Sequence, residues 1–293
     1  MASSSVYQIY YDEPTRRERD PGFLPLDNSD NLRPDWREYW PIRRWLQTQA
    51  MDEGRYYGFL SPKFGAKTGL TAARVHEFVE QRARGADVVI FSPYFDCNAG
   101  FFNVFEQAQF SLAHAGLISA AQTFVTAAGL DLDLDEWVTD VSNTVFCNYF
   151  VALPAFWRRW LRLNEVLFHW CEDVGNGIGR LYNVPTIHDE GRWIDIPLRV
   201  FLMERTASLL LATDPNLSAA IYDPLLLPMH KEASRRYEAQ LLSCDALKQA
   251  YKRTRNPHYR QAFDRVRMEF LQRAGFVRKG RFHHLAVGKA DDR

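Results

Sequence analysis

The segment ADVVIFS, residues 86–92, is a nearly unbroken apolar run with β-branched Val88, Val89 and Ile90 at its centre. Such a run is typical of a strand that is buried on both faces of a parallel sheet. Further strands are predicted at VYQIYY (6–11), YYGFLS (56–61) and VFCNYFVAL (145–153). Helical patterns occupy residues 35–49, 70–84, 101–113, 134–143, 155–173 and 198–212. The alternation predicts an α/β layer fold, with a mainly parallel sheet flanked by helices.

The charge of the 293-residue chain is balanced overall but unevenly distributed. Residues 1–233 hold 21 basic and 30 acidic side chains, a balance of −9, and residues 234–282 hold 13 basic and 4 acidic, a balance of +9. Residues 231–274 also show a helical pattern, interrupted at Asn256 and Pro257. We therefore expect an α/β domain over 1–230 and a basic helical C-terminal extension over 231–293 packed on it.

The composition argues against several classes of protein. Four cysteines stand far apart, with no spacing that favours a zinc site or a disulfide framework. A secretory signal pattern is missing from residues 1–20, and no run of about 18 apolar residues occurs. We expect a cytoplasmic protein whose membrane contact, if it has any, is peripheral at the inner face.

Three short motifs, in this order along the chain, carry a resemblance to a known family. They are YYGFLSPKF (56–64), CNYFVALPAFWRRWL (147–161) and FLMERTASLLL (201–211). Over residues 6–212 the layout resembles bacterial polysaccharide glycosyltransferases, whose fold is GT-A-like (Rossmann-like). The family's His-Tyr-Arg-Arg is replaced by Ser61-Pro62-Lys63-Phe64, and its Asn-Met-Phe by Asn148-Tyr149-Phe150. Glu204-Arg205 matches the family's Glu-Arg helix as it stands.

The resemblance implies a glycosyltransferase in surface polysaccharide biosynthesis. Its donor would be a nucleotide-sugar, linked to UDP, GDP, TDP or CMP, and its acceptor a glycan or lipid-linked glycan. Ligands of open α/β sheets bind beyond the carboxyl ends of the strands. The residues that the resemblance and this rule together assign to donor binding are Tyr10, Asp27, Asn28, Ser61, Lys63, Asn148 and Arg205, with Lys63 as the cation that offsets phosphate charge.

Two carboxylates are candidates for the catalytic base. Asp96 follows the most apolar strand, in PYFDCNAG, where it would face the ligand crevice; alternatively it caps a following helix. Glu204 lies within an otherwise apolar helix, where a carboxylate has to be paired or functional. It could form a structural ion pair with Arg205 or contact the substrate. Glu106, like Glu204, is a carboxylate within a predicted helix that has to be paired or functional.

A metal site is a separate question. Asp131, Asp133 and Asp135 (GLDLDLDEW) resemble an Asp-x-Asp pair that could chelate Mg²⁺ or Mn²⁺. However, no such pair stands at the strand end where related enzymes carry it. We expect a reaction with weak or absent metal dependence, and the three aspartates could equally belong to an exposed strand or a helix entry.

Two other interpretations stay open at this point. One is a scaffold of the same fold that has lost catalysis and only assembles a synthesis complex. The other is a nucleic-acid-binding module that uses the basic segment; its acidic body and strand-end loops make nucleic acid an improbable partner. The basic segment could instead dock on an anionic membrane surface, where lipid-linked acceptors reside.

Overall fold

A computed structural model describes residues 2–111, 116–173, 175, 177–186 and 196–276. Its main sheet has six strands: β1 (Ser3–Tyr10), β2 (Leu24–Asp27), β3 (Arg55–Leu60), β4 (Val88–Ile90), β5 (Phe150–Ala152) and β8 (Ala219–Ile221). A second, two-stranded sheet pairs β6 (Pro185–Thr186) with β7 (Ile196–Pro197). The strand order of the main sheet is β2-β1-β3-β5-β4-β8.

Five strands of the main sheet run parallel and β5 runs against them. β1 pairs in parallel with β2 and β3, and β4 pairs in parallel with β8. β5 lies between β3 and β4 and is antiparallel to both. The prediction of an α/β fold with a mainly parallel sheet is confirmed. The antiparallel strand was not predicted, because an apolar run such as Phe150–Ala152 has the same pattern in either direction.

Thirteen helices accompany these strands in the described residues. They are α1 (Glu13–Glu18), α2 (Tyr39–Thr48), α3 (Phe64–Thr68), α4 (Ala72–Arg82), α5 (Phe95–Gly100), α6 (Val104–Ser111), α7 (Leu117–Ala127), α8 (Pro154–Glu172), α9 (Gly177–Tyr182), α10 (Leu198–Met203), α11 (Thr206–Thr213), α12 (Glu238–Thr254) and α13 (Pro257–Arg273). Short 3-10 turns cover Pro34–Trp36, Pro224–Leu226 and Glu232–Tyr237. Thr71 caps α4, which lies within the predicted helix 70–84, and Pro154 opens α8, which covers most of the predicted helix 155–173.

Three predicted segments differ from the structure. Residues 12–35, between the predicted strand 6–11 and the predicted helix 35–49, contain α1 and the edge strand β2, neither of which was predicted; Pro25 is tolerated in β2 because that strand lies on the sheet edge. Residues 134–143, predicted as a helix, form turns. The helix predicted over 198–212 is broken at Glu204 and Arg205 into α10 and α11. The sequence of 198–212 contains no proline or glycine that would signal this break.

The basic segment is joined to the rest of the protein by a shared core. α12 and α13 pack against each other and against α5, and Leu241, Phe263 and Phe270 belong to the same buried cluster as the sheet residues Val88 and Ile90. The helices and their interruption at Asn256 and Pro257 are confirmed.

Two of the basic side chains in this segment point inward. Lys248 is fully buried and donates to the carbonyls of Asn98 and Phe101, at 2.6 and 2.9 Å. Arg267 is fully buried and donates to both carboxylate oxygens of Glu106, at 2.9 and 2.8 Å. Part of the segment's positive charge therefore serves internal packing, and Glu106 has a structural partner instead of a ligand.

Replacing Arg267 by alanine is expected to lower the free energy of unfolding by about 3–5 kcal/mol, because it leaves the buried carboxylate of Glu106 without its partner. Urea unfolding monitored by tryptophan fluorescence measures this loss. Arg265→Ala, which removes an exposed arginine from the same helix, is the matched control and should change stability little. Equal unfolding midpoints for the two variants would contradict the buried-pair interpretation.

Among the residues described, none of the helices combines the length and the apolar character that crossing a bilayer requires.

Candidate functional site

One pocket opens at the edge of the main sheet where the parallel strands end. β1, β3 and β4 reach this edge with their carboxyl ends, and β5 begins there because it runs in the opposite direction. The pocket has a cavity volume of about 40 Å³, well below the ~300–1,000 Å³ of sites that enclose a whole small molecule. It is lined by Trp36, Arg37, Glu38, Tyr39, Ser61, Lys67, Cys147, Asn148, Val200, Met203 and Glu204. The sequence-based expectation of a crevice at the strand ends agrees with this location.

Lys67 supplies the inner cation of the pocket. It lies in the last turn of α3, the short helix that directly follows β3. Its ammonium lies 3.2 Å from the sulfur of Cys147 and 5.9 Å from the centre of the Tyr149 ring. Burial by itself would lower the pKa of Lys67, but Cys147, Glu204 and Tyr94 outweigh burial and raise that pKa above its ordinary value. Lys67 is therefore a charged donor at neutral pH.

Glu204 supplies the acid–base group of the pocket. It occupies the break between α10 and α11, which turns its carboxylate toward the pocket with 32% of the side chain exposed. Burial raises the pKa of Glu204, while Arg205 and Lys67 partly counter this effect and Glu38 adds to it. A carboxyl group whose pKa is raised within a pocket is suited to accept a proton at neutral pH.

A strained loop supplies the pocket floor. Cys147 and Asn148, just before β5, both have positive φ, 57° and 55°, which is unfavourable for residues other than glycine. Asn148 is only 6% exposed, and its amide oxygen accepts no hydrogen bond from the described residues. A buried acceptor without a partner costs free energy unless a ligand satisfies it. The loop therefore carries a buried acceptor beside the pocket that has no hydrogen-bond partner in the described residues.

Ser61 fixes this floor to the neighbouring strand end. Its hydroxyl forms a 2.8 Å hydrogen bond with the hydroxyl of Tyr149, whose ring packs edge-on against Phe64. Burial raises the pKa of Tyr149, so that the phenol stays neutral. Ser61 and Asn148, both predicted from the family resemblance as donor-binding residues, thus meet at one place together with Glu204.

Other predicted site residues lie outside the pocket lining. Lys63 is exposed at the start of α3, and the cation that reaches the pocket is Lys67, one helical turn later. Asp96 is fully buried, and its carboxylate accepts from the backbone amides of His230 and Lys231, at 2.9 and 3.0 Å. This environment corresponds to a capping role for Asp96, although it caps residues 230–231 instead of the helix expected from Phe101.

Arg205 also faces away from the pocket. It is buried and donates to the carbonyls of Val104 and Phe201, at 2.9 and 2.7 Å, and to the side-chain oxygen of Gln107 at 3.1 Å. Its distance to the carboxylate of Glu204 is 3.8 Å. These contacts hold the helix break in place. Arg205 therefore positions Glu204, and it is not among the residues that line the pocket.

Tyr10, Asp27 and Asn28 form a separate polar group at the ends of β1 and β2. Tyr10 stands opposite Asp27 in the strand register, and the phenol is hydrogen-bonded to that carboxylate, which raises the pKa of Tyr10. Asn28 is buried, its backbone amide donates to the carbonyl of Tyr10 at 2.9 Å, and its amide oxygen has no partner in the described residues. None of the three lines the pocket.

The three aspartates considered for metal binding do not form a group that could hold a metal ion in the described residues. Asp131, Asp133 and Asp135 are exposed, and Asp133 accepts from the backbone amide of Asp135 at 2.9 Å, as in a turn. No group of three or more His, Cys, Asp or Glu side chains with metal-binding geometry occurs in the part of the chain that the structure describes.

Of the eleven lining residues, only Ser61, Asn148 and Glu204 were assigned to the site from the sequence. The charged and thiol-bearing residues that were not assigned are Arg37, Glu38, Lys67 and Cys147. Lys67 had a usable signal, since it lies one helical turn after Lys63 on the segment that follows β3. Arg37 and Glu38 belong to a turn far along the chain from the other strand ends, and no local pattern marks them. Comparison with known proteins finds no protein-family model, no curated protein and no solved structure that matches this chain.

Proposed function

We propose that the protein is a glycosyltransferase that moves a sugar from a nucleotide-sugar to a hydroxyl group of a glycan or lipid-linked glycan. The observation that carries the proposal is the meeting of Lys67 and Glu204 in a pocket at the strand ends of an α/β sheet. Sugar transfer needs a cation for the departing phosphate and a base for the acceptor hydroxyl. Lys67 carries the positive charge that the first task needs, and the raised pKa of Glu204 favours its acting as the base.

In the proposed reaction, Glu204 accepts the proton of the acceptor hydroxyl while that oxygen bonds to the anomeric carbon of the sugar. The bond from the anomeric carbon to the phosphate oxygen breaks, and Lys67 offsets the negative charge that the nucleotide carries away. Asn148, which lines the pocket, lies beside the transferred sugar. The short sequence motifs around Ser61, Asn148 and Glu204, which resemble those of polysaccharide glycosyltransferases, support the same assignment. We place the reaction in the cytoplasm.

The nucleotide is identified by isothermal titration of the protein with UDP, GDP, TDP and CMP, with and without Mg²⁺. We expect one of the four to bind, and Lys67→Ala to weaken that binding. Binding without transfer of a radiolabelled sugar to any glycan would favour the catalytically inactive scaffold. No detectable binding of all four nucleotides would contradict the proposed function.

A further inference from the structure

Arg37 stands at the mouth of the pocket in an unfavourable backbone conformation. Its φ and ψ are 48° and −134°, a region that favours glycine. The turn is pinned from both sides. The backbone amide of Arg37 donates to the carbonyl of Pro34 at 3.3 Å. On either side of Arg37, the indole of Trp36 donates to Glu172 at 3.0 Å and the hydroxyl of Tyr39 donates to Glu165 at 2.5 Å. The fold thus holds a non-glycine residue where glycine would be more stable.

The guanidinium of Arg37 is not used to stabilise the fold. It is exposed, and it forms no hydrogen bond or ion pair with any residue that the structure describes. It acts electrostatically on Tyr11, just after β1, whose pKa is raised by burial and by Glu38 and lowered by Arg37. Arg37 therefore lies between the pocket and the end of β1, with its five N–H donors available to a ligand.

The charges of the pocket show which kind of ligand this arginine suits. The pocket lining holds two carboxylates, Glu38 and Glu204, and two basic side chains, Lys67 and Arg37. Without Arg37 the lining would carry a net charge of −1 and would repel an anion. One guanidinium group can donate two parallel hydrogen bonds to two oxygens of a phosphate, which makes arginine selective for phosphate over neutral ligands.

We infer that Arg37 is a specificity-determining residue that binds a phosphate of the donor at the pocket mouth, so that Lys67 and Arg37 together hold a diphosphate. This inference deepens the proposed function and rests on it for the identity of the donor. The anion site itself can be tested without any nucleotide, by titration with inorganic pyrophosphate at low salt.

The test compares Arg37→Gly with wild-type protein. Glycine removes the guanidinium but adopts the turn without strain, so that the melting temperature should stay the same or rise. We expect affinity for pyrophosphate to fall roughly 10- to 100-fold, the scale for losing charge-assisted hydrogen bonds to an anion. Arg37→Ala should lose affinity to the same extent. Arg84→Ala, which removes an exposed arginine just before β4 at the opposite edge of the sheet, is the control and should bind as wild type does.

The outcomes separate this inference from the proposed function. Wild-type affinity for pyrophosphate in Arg37→Gly, or no binding of pyrophosphate to wild-type protein, overturns the role of Arg37. A nucleotide that binds wild type and Arg37→Gly equally well also overturns the role of Arg37, but this result leaves the transferase proposal standing. If pyrophosphate binds in an Arg37-dependent way and none of the four nucleotides binds, the anion site is supported. The same result contradicts the proposal that the protein is a nucleotide-sugar transferase.

Discussion

Lys67→Ala is expected to lower the rate of sugar transfer by ~10²-fold or more, the scale for losing one donor that stabilises charge in the transition state. Lys67 is the cation that reaches the inner pocket, and its neighbours keep it protonated. Most of the effect should fall on kcat, because the negative charge of the leaving phosphate develops during the reaction. Single-turnover transfer of a radiolabelled sugar, with the donor identified by titration, measures the change.

Lys63→Ala is the matched comparison for this prediction. It removes a lysine four residues earlier, at the exposed start of the same helix. The sequence alone favours Lys63 as the phosphate cation, whereas the structure favours Lys67. A large loss of activity in Lys63→Ala together with near-normal activity in Lys67→Ala would contradict the placement of the site.

Glu204→Gln is expected to abolish most of the activity, with a loss of about 10²- to 10⁴-fold, because glutamine cannot accept the proton of the acceptor hydroxyl. Glutamine keeps the shape of the side chain, so that nucleotide binding should be retained. The pH dependence of kcat/KM should show a limb that rises through the raised pKa of Glu204 in wild type and is absent in the variant. Glu106→Gln is unsuitable as a control because Glu106 is paired with buried Arg267. Glu80→Gln, at an exposed position on α4, serves instead.

The same substitution should stabilise the fold at neutral pH. Because burial raises the pKa of Glu204, the folded protein binds this proton more tightly than the unfolded chain does. The wild type therefore loses stability as the pH rises from the ordinary carboxyl pKa through the raised one. Glu204→Gln removes this loss, so that its stability advantage is present at neutral pH and fades below about pH 4, where the wild-type carboxyl is protonated in both states. A variant less stable than wild type at neutral pH would show that ionised Glu204 is instead stabilised by Arg205.

The sequence predicted the parts of the fold that depend on local pattern. The apolar runs at β1, β3 and β4 and the amphipathic helices α4, α8, α12 and α13 are found close to their expected positions. The strand direction of β5 could not be predicted, because it depends on which strands lie beside β5 in the sheet and not on the apolar sequence of β5. The break at Glu204 likewise depends on tertiary contacts, since Arg205 is held by carbonyls of α6 and α10 that no local pattern reveals.

The candidate site was predicted in location but only partly in composition. Ser61, Asn148 and Glu204 do line the pocket. Asp96 was expected there because it follows the most apolar strand, but the helix that starts at Phe95 turns its carboxylate inward to the backbone of residues 230–231. The position of a residue after a strand indicates which edge of the sheet it occupies. It does not indicate the direction of its side chain.

The position of β5 also bears on how the chain is synthesised. β4, built from the most apolar segment of the sequence, pairs only with β5 and β8 in the main sheet. Both partners lie later in the chain, the nearer of them about 60 residues downstream, at Phe150–Ala152. A nascent chain that has emerged only as far as residue 140 therefore exposes the backbone groups of β4 and the free edge of β3. Open strand edges of this kind favour aggregation. The nascent chain therefore needs protection by a ribosome-associated chaperone most during the synthesis of the residues between β4 and β5.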